Sequence, residues 1–278
     1  EPLYIESIDV LKETIGKTHP NYASTLINLA SLYESSEEYE KAAQAIVEAN
    51  GISKKMLEAA FDFLSENEKL KYHQRIIKTI NVLKEIGLKH DSKELKEEIY
   101  NTLLFEKGIH LKSNIQTKYF VKTIGDESIL ETYQDLLVAK ENLYKEYQKP
   151  NSERHTIENL EANIELYEKK IARVSSSFRR SQDSNKIDHH EIASKLREGE
   201  VAIEFTHFKM SNDTTIYAAC ILDNKGKIDI VKLSNELDLR KKLNMNNNSS
   251  SKSIDAIYGY SERGVKVNNE SLMSLYDM

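Results

Sequence analysis

An internal repeat near the start of the chain constrains the fold more than any other feature of the sequence. Residues 4–7 (Tyr-Ile-Glu-Ser) recur 42 residues later as residues 46–49 (Ile-Val-Glu-Ala), in matching helical context. The stretch between them carries apolar and small residues at helical spacing, interrupted by a polar turn at residues 35–38. A repeat of this length predicts two helices per unit, with neighbouring units stacked along the chain.

Small and large side chains are combined across this predicted pair of helices. Ala30 and Ala42 would let the two helices approach closely, and larger residues would fill the space between them. Those larger residues are Leu26, Leu29, Tyr33 and Ile46. Pro20 stands at the predicted start of the first helix, where its missing N–H costs no hydrogen bond.

The connection that precedes this pair is Gly-Lys-Thr-His-Pro at residues 16–20. With it, the segment resembles a tetratricopeptide repeat of the long variety that carries a Gly-x-x-His-Pro connection, as in kinesin light chains and bacterial regulators. Lys54 departs from the pattern, because the family usually has a proline near there. One full repeat and the second helix of another are present, so we expect upstream repeats or the following helices to cap the stack.

The resemblance implies that the first helix of each pair lines a concave protein-binding groove. In this sequence the groove positions fall between the core positions and are occupied by Ser24, Ile27, Asn28 and Ser31. Packing does not require these residues, and the Asn28 amide could pair with both the N–H and the C=O of an extended peptide. A peptide-binding groove and a plain solvated face are both compatible with this pattern.

Helical periodicity continues through residues 52–88 and 92–124, and Gly87 is a plausible helix stop. Core candidates in the second stretch are Leu95, Ile99, Leu103, Ile109 and Leu111. Residues 127–147 then form one apolar helical face, and the next apolar residues step alternately by three and four. They are Ile157, Leu160, Ile164, Tyr167, Ile171, Val174 and Phe178. This heptad seam, after a short connection at Pro150, predicts an antiparallel helical hairpin.

The character of the sequence changes after residue 180. A short helix is predicted within residues 187–197, followed by strands at 201–208, 215–222 and 227–233, with a turn at 223–226. Residues 244–253 form a low-complexity loop. The predicted fold is mainly α, with tetratricopeptide-type repeats, a long helical hairpin and the start of a small α/β domain. The expected domain boundaries are 1–88, 89–183 and 184–278.

Three further segments resemble TPR–CHAT proteins, in which tetratricopeptide repeats precede a caspase-like α/β peptidase domain. In chain order they are residues 61–66 (Phe-Asp-Phe-Leu-Ser-Glu), 104–108 (Leu-Phe-Glu-Lys-Gly) and 199–205 (Gly-Glu-Val-Ala-Ile-Glu-Phe). The resemblance implies that this chain is the regulatory and linker part of a cysteine peptidase whose His/Cys dyad lies beyond Met278. It also implies a role in bacterial defence or signalling, in some members with a CRISPR-type effector complex as a partner. The alternative is a non-enzymatic scaffold that binds partner proteins through its repeats.

Cys220 and His207 are the pair within the chain that could suggest a catalytic dyad. Cys220 lies in the middle of a predicted strand, where apolar surroundings disfavour the thiolate, so we expect a structural core residue. His207 continues the face of residues 201, 203 and 205, and packing or a local hydrogen bond explains it. We therefore expect no catalytic residue in this chain.

Metal and nucleotide sites have little support in the sequence. His189, His190 and Glu191 are adjacent on a helix, where successive side chains diverge by about 100°, and no third ligand lies near them. We expect a solvated helix start there, and a surface position for Arg179 and Arg180. No glycine-rich phosphate loop occurs, so no cofactor is expected.

Charge and cysteine content favour a cytoplasmic chain and argue against two classes of partner. The net charge is −6 with acids and bases interspersed, which argues against general binding to nucleic acid or to anionic membranes. A single cysteine excludes an intrachain disulfide and favours a reducing compartment. No apolar stretch approaches the ~20 residues that span a bilayer.

Overall fold

The computed structural model describes residues 1–181, 187–242, 260–261 and 264–265. The long helices are α1 Pro2–Thr14, α2 Pro20–Ser35, α3 Tyr39–Phe61, α4 Glu66–Lys89, α5 Lys93–Thr123, α6 Glu127–Tyr147 and α7 Ile157–Ser181. Short helices are α8 His189–Ala193 and α9 Glu236–Lys242. The strands are β1 Val201–Lys209, β2 Thr215–Asp223, β3 Ile228–Asn235, β4 Tyr260–Ser261 and β5 Gly264–Val265.

The chain divides into two compact units. The first contains Glu1–Leu83 and Asn101–Asp188, and the second contains Lys84–Tyr100 and the chain from His189 onwards. Helices α4 and α5 therefore each contribute residues to both units. The predicted domain boundaries stay a prediction, and the low-complexity segment 244–253 lies outside the described residues.

In the first unit, α2 packs on α3 as the repeat predicted. Ala30 and Ala42 are fully buried where the helices meet, and the large predicted core residues are buried with them. Gly16 lies in the connection before α2 and has a left-handed backbone conformation, with a φ of 82°. Glycine adopts this conformation without steric cost. The predicted helix pair and its core are thus confirmed.

A non-helical segment at residues 62–65 separates α3 from α4, within the stretch of residues 52–88 whose periodicity predicts helix. The Ser65 N–H donates to the Glu68 carboxylate at 3.1 Å, and the Glu68 N–H donates to the Ser65 hydroxyl at 3.3 Å. This reciprocal pair is a capping box, which starts a new helix at Glu66. The predicted helical stretch of residues 52–88 is therefore divided between the end of α3 and α4.

Apolar residues of three helices meet behind this break. The cluster comprises Leu57 and Phe61 of α3, Ile76 and Ile80 of α4, and Ile109 of α5. Leu111 is 62% exposed, against the prediction that it belongs to the core. The reason is angular: two residues after Ile109, its side chain points about 200° away around the helix.

Helices α5, α6 and α7 share a second apolar cluster, and it contains the predicted hairpin seam. Its members are Phe120, Val121, Ile129, Leu136 and Ile171, with Ile124, Tyr133, Ile164 and Tyr167 packed against them. The pairing is antiparallel, because Tyr147 bonds to Glu161 near the turn whereas Thr132 bonds to Lys170 far from it. The hairpin is confirmed, although Val174 is 40% exposed and the Phe178 side chain lies outside the described residues.

The turn of this hairpin is held by Glu146, a residue that periodicity did not single out. Its carboxylate accepts the backbone N–H groups of His155 at 2.8 Å and Thr156 at 3.2 Å, directly before α7 begins. Lys149 pairs with the same carboxylate at 2.5 Å. Glu146 thereby satisfies the backbone N–H groups of the two residues that lead into α7.

The second unit is built around an antiparallel sheet in the order β1-β2-β3. On one face Phe208, Ile216 and Ala218 pack against Leu88 of α4. On the other face Val201, Ile203 and Phe205 remain exposed. The three strands and the turn at residues 223–226 are confirmed as predicted, and β1 keeps a strict alternation along its length.

Two carboxylates fix the loops of this sheet. Glu85 of α4 accepts the N–H and the hydroxyl of Ser211 at 2.8 Å, which anchors the β1–β2 loop. Burial acts to raise the pKa of Glu85, but Lys89 and the Ser211 donors outweigh it and lower the pKa. Asp223 accepts the N–H groups of Lys225 and Lys227, which closes the β2–β3 turn.

The Glu146 cap predicts a pH dependence of stability. The Lys149 ammonium, followed by the His155 N–H, lowers the pKa of Glu146 from 4.5 to about 2. Because the folded pKa is depressed, the stabilisation is complete above pH ~4.5 and is lost as the pH falls towards ~2. Glu146→Gln is expected to lower the melting temperature at pH 7, with a difference from the wild type that shrinks over this range.

The measurement is thermal unfolding followed by circular dichroism between pH 2.5 and 7. Glu131→Gln is the matched control, because Glu131 is an exposed residue of the same helix. It is expected to change the melting temperature little at any pH. A Glu146→Gln difference that stays constant across the range would contradict the role of the charged cap.

Candidate functional site

Helix α2 forms one wall of a groove in the first unit. The His19 ring caps this helix by accepting the Asn21 N–H at its Nδ1 atom, at 3.1 Å. Pro20 then occupies the first helical position, as predicted. With the core face of α2 turned towards α3, Ser24 and Asn28 lie exposed on a different face.

Helices α3 and α4 supply the remainder of the groove, which has a volume of about 290 Å³. Ser53 and Met56 of α3 lie between the two walls, and α4 forms the wall that faces α2. The lining residues are Pro20, Ala23, Ser24, Ile27, Asn28, Ser53, Met56, Tyr72, Arg75, Ile76, Lys78 and Thr79. The groove therefore combines an apolar interior with polar and cationic margins.

A short polar contact joins α3 to α4 within this groove. The Ser53 hydroxyl donates to the carbonyl of Ala49 at 2.9 Å, and its oxygen lies 3.4 Å from the Thr79 hydroxyl. Both residues are buried, with 3% of each exposed. Because buried hydroxyls are costly to leave unpaired, this contact favours one arrangement of α4 on α3.

The structure brings three of the four predicted groove residues together. Ser24, Ile27 and Asn28 line the same groove. Ser31 is exposed but does not line it, and its hydroxyl donates to the carbonyl of Ile27 at 3.1 Å. The Ser31 side chain is thus turned back onto its own helix.

The structure contradicts the prediction that packing does not require Ile27. Only 7% of this residue is exposed. The reason is that α3 and α4 line the groove as well, with Met56 and Ile76, so an apolar side chain on its floor is shielded from water on several sides. Ile27 is therefore part of the packed interior as well as of the groove.

The sequence alone did not indicate that α4 forms the second wall of the groove. Tyr72, Arg75 and Lys78 lie on α4 and face the groove, and the Arg75 guanidinium lies over the Tyr72 ring, 5.9 Å from its centre. The signal that was available is their spacing of three, which places them on one side of the helix. That spacing does not tell which neighbour the side faces.

The Cys220 and His207 side chains lie on opposite faces of the sheet. In the β1–β2 register Cys220 pairs with Glu204, and His207 pairs with Tyr217. Since neighbouring residues of a strand alternate between faces, Glu204 and His207 point to opposite sides, and Cys220 follows Glu204. Cys220 is fully buried, and the His207 ring lies 6.0 Å from the Tyr217 ring. This geometry brings no histidine to the thiol from β1.

The His189 side chain is buried, against the expectation of a solvated helix start. Its Nε2 atom lies 3.7 Å from the carboxylate of Glu97 on α5, whereas His190 is exposed. Packing against α5 is the reason for the difference.

In the described part of the chain, no group of three His, Cys, Asp or Glu side chains is arranged to hold a metal ion. The side chains of Arg179 and Arg180 lie outside the described residues.

Comparison with known proteins identifies the first helices. The sequence profile of the tetratricopeptide repeat family matches residues 1–49, which cover α1, α2 and the first part of α3. The predicted repeat is thereby confirmed, and tetratricopeptide repeats give this part of the chain a protein-interaction role. A comparison with curated proteins found no match, and neither did a comparison with solved structures.

The family match supports the repeats, and the structure shows a mainly helical fold with a small antiparallel sheet. They leave the resemblance to TPR–CHAT proteins a prediction. Within residues 1–181 and 187–242, every helix is too short or too polar to span a lipid bilayer.

The burial difference between two neighbouring groove residues can be measured directly. Ile27→Ala is expected to lower the free energy of unfolding by ~2–5 kcal/mol, because it empties a buried site. Asn28→Ala is expected to change it by less than about 0.5 kcal/mol, because that side chain is exposed. Urea unfolding followed by circular dichroism distinguishes the two. A large loss in Asn28→Ala would make Asn28 a structural residue.

Proposed function

We propose that the groove between α2 and α4 binds an extended peptide segment of a partner protein. The observation that carries this proposal is the exposed Asn28 amide on the margin of a groove whose floor includes apolar side chains. A side-chain amide offers two donors and an acceptor, so it can bond to both polar groups of one peptide unit. Ser24, one helical turn earlier on the same wall, adds a hydroxyl beside it.

The size of the groove is consistent with this kind of ligand. At about 290 Å³ it is slightly smaller than the ~300–1,000 Å³ range of small-molecule pockets, which leaves room for a few side chains. Its floor residues Ile27, Met56 and Ile76 offer apolar contacts to a few side chains of a passing segment. Extended peptides use such contacts for specificity while their main chain provides hydrogen bonds.

Selection from a displayed library of random dodecapeptides tests this function without knowledge of the natural partner. The 278-residue chain is immobilised, and enriched peptides are measured against it in solution by fluorescence polarisation. Asn28→Ala is expected to raise their Kd about tenfold, because it leaves polar groups of the peptide unpaired.

Asn67→Ala is the matched control for this measurement. Asn67 is an exposed asparagine at the start of α4 that does not line the groove, so its replacement is expected to leave the Kd unchanged. Selected peptides that bind Asn28→Ala as tightly as the wild type would show that they bind elsewhere. Failure to enrich any peptide would count against the function itself.

We also propose that this chain is the regulatory and linker portion of a TPR–CHAT caspase-like cysteine peptidase. Support comes from the order of the resembling segments, which runs from residues 61–66 through 104–108 to 199–205. A bacterial defence role with a CRISPR-type effector complex as the activating partner follows from that resemblance. In this setting the groove would sense the partner while the catalytic dyad lies outside residues 1–278.

The encoding gene, read beyond the codon for Met278, tests this wider assignment. We expect a strand ending in His-Gly, followed by a strand of small residues that ends in cysteine. This order is the one that the resemblance implies for a His/Cys dyad. A stop codon directly after Met278, or a continuation without these two strands, would leave a non-enzymatic scaffold as the function.

A further inference from the structure

The central part of α4 carries charge of one sign. Between residues 69 and 84 every charged side chain is basic, and neither aspartate nor glutamate occurs. The basic residues are Lys69, Lys71, Arg75, Lys78 and Lys84. The whole chain is acidic, with 45 Asp and Glu against 39 Lys and Arg. This segment of α4 is therefore positive in a chain of net negative charge.

The environments of these cations differ. Lys69 is buried, and its ammonium pairs with Glu66 at 2.7 Å and with the Ser113 hydroxyl at 2.8 Å. Arg75 and Lys78 are exposed and line the groove. Among the described residues, neither of these two has a carboxylate within ion-pair distance, and Arg75 contacts the Tyr72 ring instead. Their charge is thus available to a ligand.

The opposite wall does nothing to neutralise this charge. Residues 20–33 of α2 contain no Asp, Glu, Lys or Arg, and no acidic residue lines the groove. Low-dielectric walls concentrate the field of charges that border a cleft. The groove is therefore a positive site in a negative chain, with an apolar floor formed in part by Ile27 and Ile76.

From this charge pattern we infer that the groove selects an acidic extended segment of a partner protein. The inference rests on the proposed peptide-binding function and adds the chemistry of the ligand. Carboxylates of the segment contact Arg75 and Lys78, while its main chain bonds to Asn28 on the other wall. Its intervening apolar side chains lie on the floor.

The distance between Arg75 and Lys78 indicates how the acidic residues of the segment are spaced. Arg75 and Lys78 are three residues apart on a helix, which places them on one side with Cβ atoms about 5–6 Å apart. In an extended chain, side chains at alternate positions point the same way and are about 6.5 Å apart. Two acidic residues separated by one apolar residue therefore match the two cations.

A nucleic acid is a weaker fit to the same charges. Binding to a phosphate backbone draws on many cationic contacts, whereas this groove offers two and lies in a chain of net charge −6. The apolar floor also has no role in contacting phosphates. An acidic peptide uses both the cations and the floor.

Charge reversal of the α4 wall tests the inference with peptides from the same displayed library. Peptides selected by the wild-type chain are expected to be enriched in Asp and Glu at alternate positions. The double variant Arg75→Glu, Lys78→Glu is expected to weaken their binding about tenfold, since two attractions become repulsions. A selection on this variant is expected to enrich Lys and Arg instead.

The matched control is the double variant Lys55→Glu, Lys122→Glu. It changes the net charge equally, but both lysines are exposed on other helices and do not line the groove. It is expected to keep the affinity and the acidic preference of the wild type. Salt is expected to weaken wild-type binding, because the Debye length falls from about 10 Å at 0.1 M to about 3 Å at 1 M.

The outcomes separate this inference from the proposed function. Peptides that depend on Asn28 but show no acidic preference, or bind the reversed variant equally well, overturn the charge selection and leave peptide binding intact. Failure to enrich any peptide overturns both. Tighter binding of a fluorescein-labelled oligouridylate than of the acidic peptides, lost in the reversed variant, would assign the cations to nucleic acid and overturn the inference.

Discussion

The close packing of α2 on α3 is the constraint on which the first unit depends. Ala30, Ala42 and Ala49 are fully buried, so little side-chain volume separates the two helices at these positions. The distance between packed helices depends on the side chains at their contact. Because α3 continues to Phe61 and packs there against α4, the α2–α3 spacing also sets the width of the groove that α2 and α4 border.

Helix caps decide where this helical chain turns. The Ser65–Glu68 pair ends one predicted helix and begins another, and Asp126 accepts the N–H groups of Ser128 and Ile129 at the start of α6. Glu146, near the end of α6, accepts the N–H groups of His155 and Thr156 directly before α7. The first N–H groups of a helix need partners from outside the helix, so a polar side chain near its start can determine where the helix begins.

The groove shows how one surface serves packing and recognition together. Ile27 is buried and contributes to the interior, and Asn28, the next residue, is exposed at the margin. On α4 the same division holds between buried Ile76 and exposed Arg75. Adjacent helical residues point about 100° apart, so neighbours in sequence can be assigned to stability and to binding separately. Among the described residues, Arg75 and Lys78 have no carboxylate within ion-pair distance, and the facing wall carries no charge.

Local patterns in the sequence determined the helices, the strands and much of the packing. The helices of the repeat at residues 1–49, the apolar faces that carry Leu136 and Ile171, and the alternation along β1 are periodic features. The period within each helix or strand follows from the geometry of that element alone. Periodicity also identified Ser24 and Asn28 as side chains that the α2–α3 core does not use. It wrongly assigned Leu111 to the core, although this residue lies on the exposed side of α5.

Only the tertiary structure decided what each face meets. Sequence spacing placed Arg75 and Lys78 on one side of α4, but their position across the groove from Asn28 depends on the contacts of α4 with α3 and α5. The burial of Ile27 has the same origin. Cys220 and His207 both lie in predicted strands, and the strand register then separated them onto opposite faces. Such contacts join residues that are distant in the chain. Local periodicity shows which face of an element is apolar, but it does not show which distant element packs against that face.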